Sequence, residues 1–255
     1  MSPTLAPFYL DWRFWNAVVA VLALVLSQVP PARLLFRRSR LRIQPYDRLN
    51  VTHWLGNPIV NLHVQLLNAG GRPIRVHSLV LELFPDDGTT ISLPAQTYAR
   101  PDGAPGNFLF TPFSLEPDKQ WTNFIAFFAP LSMNDERSSR QVIKDLRADI
   151  RAKIRNLSKE ARDRDEFVEG DAKLVEKLQE FFRSHRKWRP GEYTAALKIL
   201  CEPERASQVR KFRFTLFEAD IQDLDERAAR YKFGAGAYFT DAEQTEVYPR
   251  IKHLD

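Results

Sequence analysis

The stretch NLHVQLLNAGGRPIRVHSLVLEL, residues 61–83, decides the fold class. Leu62, Val64 and Leu66 alternate with polar residues, and a second alternating run extends from Ile74 to Leu83. This period of two predicts β-strands with one buried face. The intervening AGGRP is a turn signal, because glycine accepts a positive φ and proline fixes the re-entry into extended chain. We therefore expect two strands joined by a turn.

The same pattern recurs along the chain. Further strands are predicted at 89–93, 108–115, 121–128, 193–200 and 209–217. Strands at such spacing, joined by short turns, indicate an antiparallel sandwich. Over 49–131 the order of strands and turns resembles that of bacterial immunoglobulin-like or fibronectin-like domains, which implies an immunoglobulin-like β-sandwich. The cysteine pair and core tryptophan pattern of true immunoglobulins are missing from the sequence.

Residues 132–189 break this alternation and are rich in charge. Apolar residues recur there at helical spacing, which predicts two amphipathic helices, the first capped by Asn134 or Asp135. The apolar positions are Ile143, Leu146, Ile150, Ile154 and Leu157 in the first helix, and Leu174, Leu178, Phe181 and Phe182 in the second. We interpret the segment as a helical hairpin inserted in the β domain. Packing within the chain is favoured over packing on a partner helix.

Near the N-terminus, every residue from Ala17 to Leu26 is apolar. Its valines and leucines favour bilayer insertion by about 2 to 4 kcal/mol. Trp12 and Trp15 lie where an aromatic belt would meet the headgroups, and a Pro-Pro pair follows the run. This predicts one transmembrane helix over 12–30. The alternatives are a cleaved signal peptide, a helix lying in the interface, and a buried helix of a soluble protein.

A basic segment follows the apolar run. Because positive residues stay on the cytoplasmic side, it predicts a single-pass inner-membrane protein with a cytoplasmic soluble domain. With the reverse topology the domain would be periplasmic or extracellular. We assign membrane orientation and lipid contact to Trp12, Trp15, Arg33, Arg37, Arg38, Arg40 and Arg42.

These patterns divide the chain into seven segments. They are an N-terminal tail, a transmembrane helix, a basic linker, the first part of the β-sandwich, the helical hairpin, the second part of the sandwich with a short helix, and a C-terminal tail. Their bounds are 1–11, 12–30, 31–48, 49–131, 132–189, 190–233 and 234–255. An apolar fraction of 44% and a charged fraction of 27% are typical of globular proteins and argue against extensive disorder.

Residues with catalytic or metal-binding potential are sparse. The single cysteine, Cys201, rules out an intramolecular disulfide and a thiolate zinc cluster, and we expect it to be a buried small residue. His53, His63 and His77 fall on successive predicted strands, but a shared metal site is disfavoured because His63 faces away from the apolar side. An acidic group is interpreted as a solvated helix face. It contains Asp220, Asp223, Asp225 and Glu226. We expect no catalytic residue, cofactor or metal.

A second basic segment is the candidate partner-binding site, and specific nucleic-acid binding is disfavoured there. It comprises Arg183, Arg186, Lys187, Trp188 and Arg189. The sequence thus predicts a membrane-anchored interaction or scaffold module that contacts membrane lipid and a protein partner. The alternative is a ligand-sensing or enzymatic domain on a membrane tether. The sequence leaves the oligomeric state open.

Overall fold

The structure is a computed structural model that describes residues 12–28, 38–86, 88–102, 106–157, 168–235 and 245–254. Helix α1 spans Trp12–Gln28. The strands are β1 Leu41–Trp54, β2 Asn57–Asn68, β3 Ile74–Pro85, β4 Ile91–Ala99, β5 Phe108–Leu109, β6 Phe113–Leu115, β7 Gln120–Phe128, β8 Gly191–Glu202, β9 Gln208–Leu216 and β10 Lys252–His253. The remaining α-helices are α2 Met133–Asn156, α3 Ala172–His185 and α4 Glu218–Ala229.

Within the described residues the strands form one curled antiparallel sheet, in the order β1-β2-β7-β4-β3-β8-β9-β10. Strand β4 pairs with β3 through residues 91–94 and with β7 through residues 95–99, so it joins the two halves of the curled sheet. Leu62, Val64 and Leu66 are at most 1% exposed in the apolar core of the curled sheet. The predicted mainly antiparallel β class, with added helices, is confirmed.

The turn after Asn68 does not join paired strands. Strand β2 pairs with β1 and β7, whereas β3 pairs with β4, β6 and β8, so residues 69–73 connect two strands that are not neighbours in the sheet. A Cβ on Gly70 would lie 2.5 Å from the Arg38 carbonyl oxygen, so close backbone packing is what requires glycine there. Turn chemistry predicted the change of direction but not the pairing.

The sheet begins earlier and ends later than predicted. Strand β1 starts at Leu41, which is 4% exposed, so residues 41–48 belong to the sheet rather than to a linker. Near the other terminus, the Val51 amide donates to the Val247 carbonyl at 2.8 Å, and β10 pairs with β9. The predicted tail thus contains residues that pair with both β1 and β9.

The predicted helical hairpin is present, and it packs within the chain as favoured. Leu146 of α2 and Leu178 of α3 are at most 1% exposed in a second apolar cluster that also contains Leu55 and Tyr231. The predicted cap of α2 is wrong by two or three residues, because the helix is capped by Ser132. The Ser132 hydroxyl, not Asn134 or Asp135, accepts from the backbone amide at 3.1 Å.

The β1–β2 turn carries Leu55 into this cluster. Leu55 and Gly56 have φ values of 49° and 85°, as a two-residue hairpin turn requires. A Cβ on Gly56 would lie 2.4 Å from the Phe182 carbonyl oxygen. The turn therefore docks directly on the last turn of α3.

Candidate functional site

The apolar side chains of α1 are uncovered. Val19, Val21, Leu22, Leu24, Val25 and Leu26 are each between 52% and 71% exposed, and Trp12 and Trp15 are 69% and 56% exposed. Apolar surface on this scale is unfavourable in water, since each such side chain gains about 1.5 to 3 kcal/mol when fully buried. The alternative of a helix buried within the same chain therefore does not hold for the described residues.

The length of α1 bears on whether this helix can cross a membrane. Among the described residues, no helix combines the length and hydropathy needed to cross a membrane, and α1 has 17 residues.

Of the basic residues assigned to the membrane, Arg33 and Arg37 lie outside the described residues. Arg38 and Arg40 precede β1 and Arg42 lies within it, and all three are exposed. Arg40 and Arg42 line a cleft of about 470 Å³ between the starts of β1 and β9. The structure adds a third arginine to its lining, Arg210 of β9, which sequence reasoning missed because it is distant in the chain.

The second basic segment mostly makes internal contacts. Trp188 is 2% exposed, and its indole N–H donates to the Thr52 carbonyl at 2.8 Å. Trp188 was assigned to the candidate partner-binding site, but its buried ring instead fixes the chain after α3 to β1. The interpretation failed because a tryptophan between charges has the same sequence pattern whether it points outward or inward.

Arg186 and Arg183 of this segment form ion pairs with carboxylates. The Arg186 guanidinium donates to both carboxylate oxygens of Asp225 on α4, at 2.8 and 2.6 Å. This hydrogen bonding raises the pKa of Arg186 above its ordinary value. Arg183 pairs with Glu176 at 2.8 Å. Lys187 and Arg189 are exposed. The segment therefore offers a partner less free charge than its sequence suggests.

A buried group of hydrogen bonds around His53 was not predicted from the sequence. His53 is 2% exposed, its Nδ1 accepts from the Gly56 amide at 3.0 Å, and its Nε2 lies 2.8 Å from the Leu224 carbonyl oxygen. An amide donating to Nδ1 assigns the ring proton to Nε2, so the ring is neutral. Burial lowers the pKa of His53 to about 4. The Arg227 guanidinium donates to the His53 carbonyl at 3.0 Å. These bonds hold α4 against the β1–β2 turn.

The three strand histidines do not converge. His53 and His63 lie on the neighbouring strands β1 and β2, whereas His77 lies on β3, which is not adjacent to either. The His77 Nε2 atom is 3.5 Å from a carboxylate oxygen of Glu202. In the part of the chain that the structure describes, no group of three or more His, Cys, Asp or Glu residues is placed to hold a metal ion.

Two of the acidic side chains on α4 make structural contacts, and Cys201 is buried. The Asp220 carboxylate accepts from the Phe217 amide at 2.8 Å and so caps α4, while Asp225 binds Arg186. Asp223 and Glu226 are exposed. Cys201 is 7% exposed, and burial raises the pKa of its thiol to about 11, which disfavours the reactive thiolate.

An apolar cleft of about 360 Å³ lies beside the start of α2. Trp54, Ile59, Phe128 and Leu131 contribute apolar surface, and Glu136 and Arg140 of α2 add an ion pair to its lining. No local sequence pattern indicates this cleft, because its walls come from β1, β2, the end of β7 and α2.

No protein-family model matches the sequence, and no curated protein matches it. Among solved structures, the chain is similar to a protein from Archaeoglobus fulgidus, with 9% identity and a TM-score of 0.28, over 71% of this chain and 97% of that one. It is also similar to a family 123 glycoside hydrolase from Clostridium perfringens, with 12% identity and a TM-score of 0.31, over 69% of this chain and 27% of that one. TM-scores this low support no conclusion about fold or activity.

Proposed function

We propose that this protein is a membrane-anchored interaction module, in which α1 enters the bilayer. The β domain presents the end that carries α2 and α3, here called the helical end, to a partner protein. The observation that carries the proposal is the uncovered apolar surface of α1. Lipid hydrocarbon covers such a surface on all sides, whereas a docking groove covers only one face. The proposal includes an immunoglobulin-like fold for the sheet and a single membrane span.

The span needs more than α1 alone. Seventeen helical residues extend about 26 Å, against about 30 Å for the hydrocarbon core. A span therefore requires flanking residues to extend the helix or the bilayer to thin locally, at a cost of fractions of a kcal/mol per Å. Arg38, Arg40 and Arg42 lie on the C-terminal side of the span, which supports a cytoplasmic β domain.

The direction of β1 separates the two ends of the domain. Its first residues follow α1 in the chain. Its last residue, Trp54, and the adjoining Leu55 contact the second apolar cluster, which α2 and α3 form. Fourteen residues at about 3.3 Å each separate these ends by at most about 45 Å. The apolar cleft beside α2 lies at the helical end, because Trp54 and Ile59 line it. A partner docked there would be held away from the lipid surface, and tethering would raise its local concentration.

Two measurements test the proposal. A reporter fused after Asp255 and active only in the cytoplasm should be active, whereas activity only of an extracytoplasmic reporter would overturn the orientation. A photo-crosslinking residue at Leu131, in the apolar cleft, should give one protein adduct of discrete mass in the membrane fraction. The same residue at Leu200, 50% exposed on β8, is the matched control and should give none. Equal labelling at both positions, or at neither, would contradict a partner at this cleft.

A further inference from the structure

The cleft between β1 and β9 has an unusual charge lining for this chain. Arg40 and Arg42 line it from the segment after the tether, and Arg210 lines it from β9. Gln44, Gln65 and Gln208 add amide groups, Leu41, Ile43, Leu67 and Val209 complete the lining, and no acidic residue is among them. The volume of about 470 Å³ falls within the usual range for small-ligand sites.

Four exposed arginines elsewhere have carboxylate partners, namely Arg140, Arg183, Arg186 and Arg213. Arg213, three positions along β9, lies 3.2 Å from Glu192, and Arg140 pairs with Glu136. Among the described residues, Arg40, Arg42 and Arg210 take part in no ion pair. Three like charges around one concavity repel one another, and an anion placed between them removes that repulsion.

The chemistry of the lining matches a phosphate ester. The guanidinium fork donates two parallel hydrogen bonds to phosphate oxygens, and glutamine amides donate to ester or hydroxyl oxygens. The position matches a membrane source of phosphate. Residues 29–40 connect α1 to β1, and twelve residues reach at most about 40 Å. The cleft is therefore within reach of the headgroup layer.

We propose that this cleft binds a phosphate ester through Arg40, Arg42 and Arg210, and that anionic phospholipid headgroups supply it. The inference rests on the proposed membrane attachment for the source of the ligand. Binding would add a second contact with the membrane and fix how the β domain stands on it. Insertion of α1 alone does not set that orientation.

Hydrogen–deuterium exchange of the full chain in nanodiscs tests the site. The discs contain phosphatidylcholine alone, phosphatidylcholine with phosphatidylglycerol, or phosphatidylcholine alone with added inorganic phosphate. The expected result is slower amide exchange at 40–44 and 208–211 with phosphatidylglycerol. Arg210→Gln should weaken the protection about fivefold, the effect of one cation beside an anionic surface. Arg213→Gln removes the same charge from the same strand outside the cleft, and it should leave the protection unchanged.

The outcomes separate the ligand from the tether. Protection by inorganic phosphate but not by phosphatidylglycerol would support the phosphate site with a soluble ester as its source. Protection by neither, or equal losses in the two arginine variants, would overturn the site. Failure of the full chain to enter any disc would overturn the membrane attachment instead, and inorganic phosphate would then test the cleft in free solution.

Discussion

Acidification should destabilise the protein through His53, since the buried ring is neutral and receives a hydrogen bond from an amide at Nδ1. Its pKa is about 4 in the fold, against 6.5 for an unperturbed histidine. The unfolded chain therefore takes up a proton below pH 6.5, whereas the folded chain does so only near pH 4. Stability is lost as the pH falls through this window and does not change further, through this group, below it.

The two pKa values set the magnitude. The difference corresponds to about 3 kcal/mol over the whole window, and to about 2 kcal/mol between about pH 7 and about pH 5. Urea unfolding of the full chain in a neutral detergent, followed by circular dichroism, measures this loss. His53→Gln retains a donor for the Leu224 carbonyl but does not titrate, so it should be less stable near pH 7 and should lose about 2 kcal/mol less on acidification. His77→Gln, at an exposed position, is the control. An identical pH dependence in wild type and His53→Gln would refute the reasoning.

Three further predictions concern the contacts that hold the helices to the sheet. Gly56→Ala should cost at least about 2 kcal/mol of unfolding free energy, because its Cβ meets a backbone oxygen of α3 at 2.4 Å. Gly88→Ala has a similar φ of 82° but nothing within 4 Å, so it should cost only about 1 kcal/mol, and equal losses would contradict the docking of the turn. Trp188→Phe should cost about 1 to 3 kcal/mol in the same assay, because a β1 carbonyl loses its donor, and an unchanged stability would contradict that bond. A double-mutant cycle on Arg186 and Asp225, each more than a third exposed, should give a coupling of at most about 1 kcal/mol, and a much larger value would mean that the pair is shielded from solvent.

Local patterns in the sequence were sufficient for much of the fold. Alternation identified β2 and β3, because each strand has one buried and one more exposed face. Helical periodicity located α2 and α3. The beginning of β1 escaped notice because its arginines obscured the alternation that places Leu41 and Leu49 in the core.

Features that depend on long-range pairing could not be predicted. A turn signal shows where the chain reverses, but only the assembled sheet decides which strands become neighbours, so the connection between the non-neighbouring strands β2 and β3 was missed. For the same reason Arg210 could not be grouped with Arg40. The orientation of Trp188 depends on a carbonyl in β1, which lies far away in the sequence.

Membrane attachment is the central claim, and flotation of the full chain with lipid vesicles tests it most directly. Val21 and Leu24 are 60% and 63% exposed, so Val21→Asp with Leu24→Asp removes no buried contact within the chain. Each aspartate costs about 3 kcal/mol in a bilayer, enough together to cancel the insertion energy. We predict that wild type and the control Leu200→Asp float with the vesicles while the double variant stays at the bottom of the gradient. Wild-type protein at the bottom of the gradient, or a double variant that floats as well as wild type, would contradict the anchor.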